Sequence, residues 1–270
     1  MPADPDVARY VDCYWFLERE QEDGGSTFPK LNPDPAAHLI LAEPAQRYHY
    51  AQGTQVEEGT GSHWLFPHSH TFAMDHSVSF HILGIKFHVG ALYALDLKPL
   101  KPALDQVAAA DFASLQRGSC CTETELLPLA QADSAACCAA LDTQLRDWLM
   151  DSREDRHSQL VRRVFPLLMN TTVAELGGKL HCSQRTLERS FQRVTGLTLK
   201  QCQSMERLES ILAYLYSQDG EAIDWADIAQ RFGFSDQPHL IRYFKSSIGA
   251  TPGRYARQRD LTIDIYGDFE

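Results

Sequence analysis

Between Tyr10 and Gly90 apolar and polar positions alternate in short runs, YVDCYWFLE, HLILAE, RYHYAQGT, HWLFPH and SVSFHILGIKFHVG, each rich in aromatic or β-branched residues and closed by Pro, Asp or Gly. A period of two over segments this short predicts strands with one buried face, and breakers at this spacing predict an antiparallel sandwich or small barrel. After Gly90 the period lengthens. Residues 134–150, SAACCAALDTQLRDWLM, set Cys138, Leu141, Leu145, Trp148 and Leu149 at helical spacing, a stripe that must bury against its own sheet or against a second subunit. The polar run DSREDRHSQ (151–159) predicts a linker, and beyond it the pattern is helical. The expected organisation is a β-rich domain with C-terminal helices over 1–150, a linker over 151–160, an all-α domain over 161–260 and a tail over 261–270.

Inside the helical half one pattern occurs twice. ELGGKLHCSQRTLERSFQRVTGLTL (175–199) and DIAQRFGFSDQPHLIRYFKSSIGATP (227–252) share a helix, a short turn, a small polar residue (Ser183 or Ser235), a second helix and a Gly-x-Thr. Leu187, Phe191 and Gly196 return as Leu240, Phe244 and Gly249, each 53 residues later. Each unit predicts a helix-turn-helix, with Ser183 and Ser235 as N-caps and His181-Cys182 or Gly233-Phe234 in the turn. Leu187, Phe191 and Val194 form one stripe of the first unit, while Arg185, Arg189 and Arg193 recur every four residues. At 100° per residue Leu187 and Arg189 lie ~200° apart, so the arginines face away from the core. The second unit sets Leu240, Phe244 and Ile248 inward and His239, Arg242 and Lys245 outward. Arginine there can read a guanine edge or hold a phosphate. Thr251-Pro252 predicts one more helix start, leading to the basic GRYARQR.

Charge supports this division. The chain carries a formal net charge of −11, but residues 1–160 hold 11 basic against 23 acidic side chains, whereas 179–259 hold 12 against 8. A footprint for a polyanion is thus confined to the C-terminal third. No run reaches the ~18 apolar residues of a spanning helix, and MPADPDVARYVD lacks a signal-peptide layout, so a cytoplasmic protein with no membrane partner is expected. Seven cysteines (Cys13, Cys120, Cys121, Cys137, Cys138, Cys182, Cys202) without a C-x-x-C spacing read as free thiols of a reducing compartment.

Six of eleven histidines crowd into HWLFPHSHTFAMDHSVSFHILGIKFH: His63, His68, His70, His76, His81 and His88. In a strand His68 and His70 would share a face, as two ligands of one metal would, but no third ligand is fixed by the pattern. Structural or pocket-lining roles fit these histidines better, so neither a metal nor a cofactor is expected. The competing reading is a metal-dependent, cupin-like enzyme fused to a DNA-binding tail; no nucleophile elbow, P-loop or G-x-G-x-x-G favours any other enzyme class.

DIAQRFGFSDQPHLIRYFKSSIGATPGRYARQ resembles the signature of the AraC/XylS family of bacterial transcription regulators, and LHCSQRTLERSFQRVTGLTLKQ resembles that family's first helix-turn-helix, over about 165–257. The resemblance implies two helix-turn-helix subdomains joined by a long helix, LKQCQSMERLESILAYLYSQ, that offer two recognition helices to successive major-groove segments of double-stranded DNA. Carried over position by position, it places base readers at Arg185, Glu188 and Arg189 in the first unit and at Gln237, His239 and Arg242 in the second, with Lys245 on phosphate. Three departures stand out: Leu199 where the second unit has Pro252, Gly177-Gly178 inside a helix at about 1 kcal/mol each, and Pro238 at a helix opening without a donor.

YWFLE, LNPDPAAHLIL and LGIKFHVGALYALDL resemble, over about 10–115, the β-barrel-like domain that precedes some AraC-family DNA-binding halves and senses a ligand or dimerises. Trp15, His38, Trp64, Phe66 and His81 are candidates to line an effector pocket. The expected protein is α+β: an antiparallel barrel or cupin-like domain with a helical connector, then an all-α double helix-turn-helix. It would be a sequence-specific regulator, an activator responding to a small-molecule effector, and not an enzyme. Its rival is a regulator whose N-terminal domain only forms a homodimer or recruits a partner such as RNA polymerase.

Overall fold

The computed structural model describes residues 1–20, 28–95, 103–115, 121–168, 171–217 and 223–258. Among the described residues of the N-terminal half are nine strands: β1 (Val11–Arg19), β2 (Lys30–Leu31), β3 (His38–Ala42), β4 (Arg47–Gln52), β5 (Gln55–Thr60), β6 (His63–Leu65), β7 (Phe72–Met74), β8 (Phe80–Phe87) and β9 (Val107–Ala109). They pair antiparallel in two sheets, ordered β1-β8-β3-β6-β9 and β2-β7-β4-β5. The sheets do not close into the expected barrel. Closure needs a continuous ladder round the perimeter, and here β2, β6, β7 and β9 are two or three residues long while β5, QVEEGT, is an exposed edge with no apolar face to bury.

The sheets face each other instead, with Trp15, Leu17, Ile40 and Leu65 of one against Tyr50, Phe72 and Met74 of the other. Trp15 lies flat over β8 at Gly84, where even a Cβ would come within 1.9 Å of the indole. The other face of the five-stranded sheet is covered by α2 (Glu123–Ala132) and α3 (Ser134–Met150), following a short α1 (Ala91–Ala94). Leu141, Leu145 and Leu149 of α3 pack there on Leu39, Leu41, Trp64, Phe66, Ile85 and Phe87. Of the two fates the stripe allowed, its own sheet is the one realised. Central β3, HLILA, is accordingly buried at every position. Asp142 of α3, also buried, accepts hydrogen bonds from the backbone N–H of Ala3 and Asp4 and from the Tyr14 hydroxyl, tying the N-terminus to the helix.

Beyond them the described residues form seven α-helices: α4 (Arg156–Val164), α5 (Val173–Lys179), α6 (Gln184–Thr195), α7 (Leu199–Ser217), α8 (Trp225–Arg231), α9 (Gln237–Ile248) and α10 (Pro252–Gln258). The polar run expected as a linker contains the start of α4. Asp155 caps that helix by accepting from the N–H groups of His157 and Ser158, and the Arg153 N–H bonds the Ala94 carbonyl at 2.7 Å. The expected tail over 261–270 lies outside the described residues. Among the described residues no helix is long and apolar enough to cross a membrane.

Candidate nucleic-acid interface

α6 and α9 are both 12 residues long, begin 53 residues apart, and both end on a glycine in the left-handed region, Gly196 at φ 76° and Gly249 at φ 74°. A left-handed residue closes a helix at little cost only when it lacks a Cβ. Ser183 caps α6, accepting from the Thr186 N–H at 3.2 Å. The second helix is capped by Asp236, whose carboxylate accepts from the His239 N–H at 2.7 Å, and not by Ser235, whose hydroxyl meets His239 Nδ1 at 3.3 Å. The 53-residue offset carried from Ser183 lands on Asp236, so the repeat itself held the signal. The two turns differ by one residue. Gly177 in α5 is needed where it stands, because a Cβ there would meet the Cys182 carbonyl of the turn at 2.9 Å, whereas Gly178 has open space.

Each recognition helix hides one face. Leu187, Phe191 and Val194 enter a core with Val161, Val164, Leu176 and the first half of α7 through Leu199, Cys202 and Met205. Leu240, Phe244 and Ile248 enter a separate core with Ile228 and the second half of α7 through Leu208, Ile211, Leu212 and Leu215. The opposite faces present Arg185 and Arg189, and Gln237, His239, Arg242 and Lys245, all exposed. Glu188 is half-buried and turns its carboxylate toward the Leu199 N–H at the start of α7, 3.4 Å away, apart from the two arginines beside it in sequence. Several carboxylates of this basic region are spent elsewhere: Asp224 and Asp236 cap α8 and α9, and Glu206 and Glu209 of α7 face the β-sandwich. The arginine face therefore keeps its charge.

The groups that join the two halves had no signal in the sequence. Lys86, buried in the apolar strand β8, sets its ammonium 3.4 Å from Asp34 and 3.1 Å from Glu209 of α7. Asp34 also meets His38 Nε2 at 3.1 Å, and His38 Nδ1 accepts from the Trp15 indole N–H at 3.3 Å. Burial alone would raise the Asp34 carboxyl, but the Lys86 ammonium and the hydrogen bond from His38 Nε2 outweigh it and hold the group well below the usual carboxylate range. Burial alone would likewise lower Lys86; Asp34 and Glu209 hold it above its ordinary value.

These residues line a cavity of about 430 Å³ between the sandwich and α7, walled by Asp12, Asp34, Lys86, His88, Glu206 and Glu209. Burial, with the charges of Glu209 and Asp34, pushes Glu206 up to about 8. A carboxyl raised in the folded state keeps its proton between its unfolded value near 4.5 and that pH, so its stabilising effect fades as pH rises through this window. Glu206→Gln should therefore stabilise the protein by about 2 kcal/mol at pH 8 and by little at pH 5, flattening denaturation midpoints measured across that range.

The residues expected to line an effector pocket do not share one. Trp15 and His38 lie on the inter-sheet side of the five-stranded sheet, Trp64 and Phe66 on its helix side, and His81 is exposed near Glu20. None of the five lines the interdomain cavity or the smaller one of about 40 Å³ at Tyr48, Tyr50, His63 and His76. There the Tyr50 hydroxyl meets His63 Nε2 at 2.9 Å, and burial pulls His63 down to about 4. His68 and His70 also part company, because residues 66–70 leave the strand geometry that would align them. His68 is buried with its ring nitrogens 2.7 Å from the Asn32 carbonyl and 3.3 Å from that of Phe66, while His70 lies outside near Asp105. Among the described residues no three His, Cys, Asp or Glu side chains are grouped to hold a metal ion, and the six described cysteines are free thiols; Cys120 lies outside them.

Residues 176–258 match the family model described as a helix-turn-helix domain, and residues 1–109 match one described as a domain of unknown function (DUF6597). Over 173 residues, 63% of this chain and 45% of the relative, the chain is 25% identical to the transcriptional activator NphR of Rhodococcus sp. The C-terminal third of the chain is a helix-turn-helix domain. A second relative, the bifunctional transcriptional activator/DNA repair enzyme AdaA of Bacillus subtilis (strain 168), is 32% identical over 95 residues, 35% of this chain and 43% of that protein. The matches thus span less than half the length of these relatives. Among solved structures, ToxT from Vibrio cholerae O395 superposes with a TM-score of 0.52 at 10% identity, covering 92% of this chain and 98% of that one. The likeness is one of fold: an antiparallel-sheet domain followed by a helical domain with two helix-turn-helix units.

Proposed function

We propose that this chain is an AraC-family, sequence-specific DNA-binding transcription regulator that reads two successive major-groove segments with α6 and α9. The observation that carries the reading is the pair of equal, separately cored helices whose exposed faces hold Arg185 and Arg189 on one and Gln237, His239 and Arg242 on the other, with Lys245 a turn further on. Glu188 takes part by shaping the start of α7 rather than by touching a base. On the duplex that the full-length chain selects from a random-sequence pool, Arg189→Ala or Arg242→Ala should cost about 1–3 kcal/mol and relax base preference at the contacted position. Lys245→Ala should weaken binding to all sequences alike and lower the salt slope by about one. Footprints of both arginine variants identical to the parent would refute the assignment.

The sandwich is inferred to make the regulator effector-responsive, because an occupant of the cavity lined by Lys86, Asp34, Glu206 and Glu209 would touch both domains at once. We take the working boundaries as 1–150, 151–160 and 161–260, the protein as cytoplasmic and without catalytic activity, and its action as activation, in keeping with the names of the two relatives. RNA polymerase and a second copy of the chain are its proposed protein partners. Burial of the α3 stripe moves any dimer contact to another surface.

A further inference from the structure

Among the described residues the cores of the two helix-turn-helix units meet along α7, which lends one half to each. A single shared helix leaves two units free to hinge, yet the β-sandwich reaches all three parts of this assembly. At the first unit, α1 brings Tyr93, whose hydroxyl accepts from Arg193 Nε at 2.7 Å and donates to Asp155 at 2.9 Å, with the guanidinium over the ring. Ala36 and Val89 of the sandwich enter that unit's core, and Gly90 passes so close to Val194 that a Cβ would come within 2.6 Å of it. At α7 the contact is Lys86 with Glu209.

At the second unit the contact falls on the end of α9. The Lys30 ammonium donates to the Ile248 carbonyl at 3.3 Å, and the Thr71 hydroxyl to the Ser247 carbonyl at 2.8 Å. The last carbonyls of a helix have no donor within it, and a cation there also meets the negative end of the helix dipole. The Gly249 N–H closes α9 on the Lys245 carbonyl, and β2 and the loop before β7 supply from another domain donors for the carbonyls of Ser247 and Ile248 beyond it.

Both grips are on the C-terminal turns of the recognition helices. The groups that would read bases, Arg185, Arg189, Gln237, His239 and Arg242, sit in the N-terminal halves of the two helices and stay exposed. Resting on the DNA-binding reading above, we propose that the sandwich is a positioning element. Through Tyr93 on α6 and Lys30 and Thr71 on α9 it fixes the separation and rotation of the two recognition helices, and so sets which half-site spacing the protein accepts. An added base pair moves one half-site by about 3.4 Å and turns it by roughly 35° relative to the other, a mismatch that a fixed pair of helices rejects and a hinged pair absorbs.

The test uses the full-length chain, the duplex it selects from a random-sequence pool, and two further duplexes with one base pair inserted or removed between the half-sites. The parent should lose about tenfold or more in affinity on either altered spacing, and the double variant Lys30→Met, Thr71→Val less than about threefold. Tyr93→Phe, which keeps the ring and loses the hydroxyl, should narrow the ratio in the same direction. Unchanged ratios in both variants would overturn the positioning role, even if their affinities fell uniformly. A uniform rise in affinity would also overturn it, since the sandwich would then be holding the helices off DNA. Failure of the parent to select any duplex would count against the DNA-binding reading itself, a result distinct from either.

Discussion

Leu145→Asp should leave the N-terminal domain unfolded, not monomeric and intact. Leu145 is 1% exposed and packs with Leu141 and Leu149 between the five-stranded sheet and α2, so the new carboxylate would be buried with no partner. A lone buried charge costs beyond about 4–5 kcal/mol, a large part of the ~5–15 kcal/mol that holds a domain together. Leu145→Ala, which leaves only a cavity, should cost about 2–5 kcal/mol and keep the fold. Near-ultraviolet circular dichroism and sedimentation together decide the matter. A Leu145→Asp protein with native circular dichroism and half the parent's mass would mean that the stripe meets another subunit.

Lys86→Met should cost about 3–5 kcal/mol, because it strips the counter-charge from Asp34 and leaves that carboxylate stranded under the sheet. Most of the loss arises at Asp34, since Glu209 keeps 44% of its side chain in water. The pH dependence has a definite sign. A carboxyl held below its unfolded value of about 4 stabilises the fold above that pH and loses the effect as acid approaches the folded value. The parent should therefore lose stability steeply on the acid side, and Lys86→Met much less so, in urea titrations at a series of pH values. An acid limb equally steep in both proteins would show that Lys86 is not what holds Asp34 ionised.

Much of the C-terminal half was legible because its signals are local. The stripe Leu187, Phe191, Val194 and its counterpart Leu240, Phe244, Ile248 fix two helices, their buried faces and their exposed arginines from spacing alone. The cap of α9 was misplaced by one residue only because Ser235 precedes Asp236 and both residue types cap well. In the N-terminal half a period of two tells which residues share a face, but not what covers it. Both faces of the central sheet are buried, so Trp15 and Trp64 look alike in sequence and end in different cores. Barrel and sandwich likewise differ in which strands pair, a non-local matter that alternation does not encode. Lys86 was the least visible of all: a lysine inside FHILGIKF declares itself only when Asp34 and Glu209, far apart in the chain, arrive beside it.

The chain from Trp15 through His38 and Asp34 to Lys86 and Glu209 also gives the protein an optical reporter. The Trp15 indole N–H bonds the imidazole that touches Asp34, whereas Trp64 and Trp148 stand together on the far side of the sheet, their ring centres 6.3 Å apart, and Trp225 belongs to the second helix-turn-helix unit. Any event that parts α7 from the sandwich takes Glu209 away from the Lys86–Asp34–His38 chain that ends on Trp15. In a protein carrying Trp15 as its sole tryptophan, emission colour and lifetime would register domain separation without an added dye.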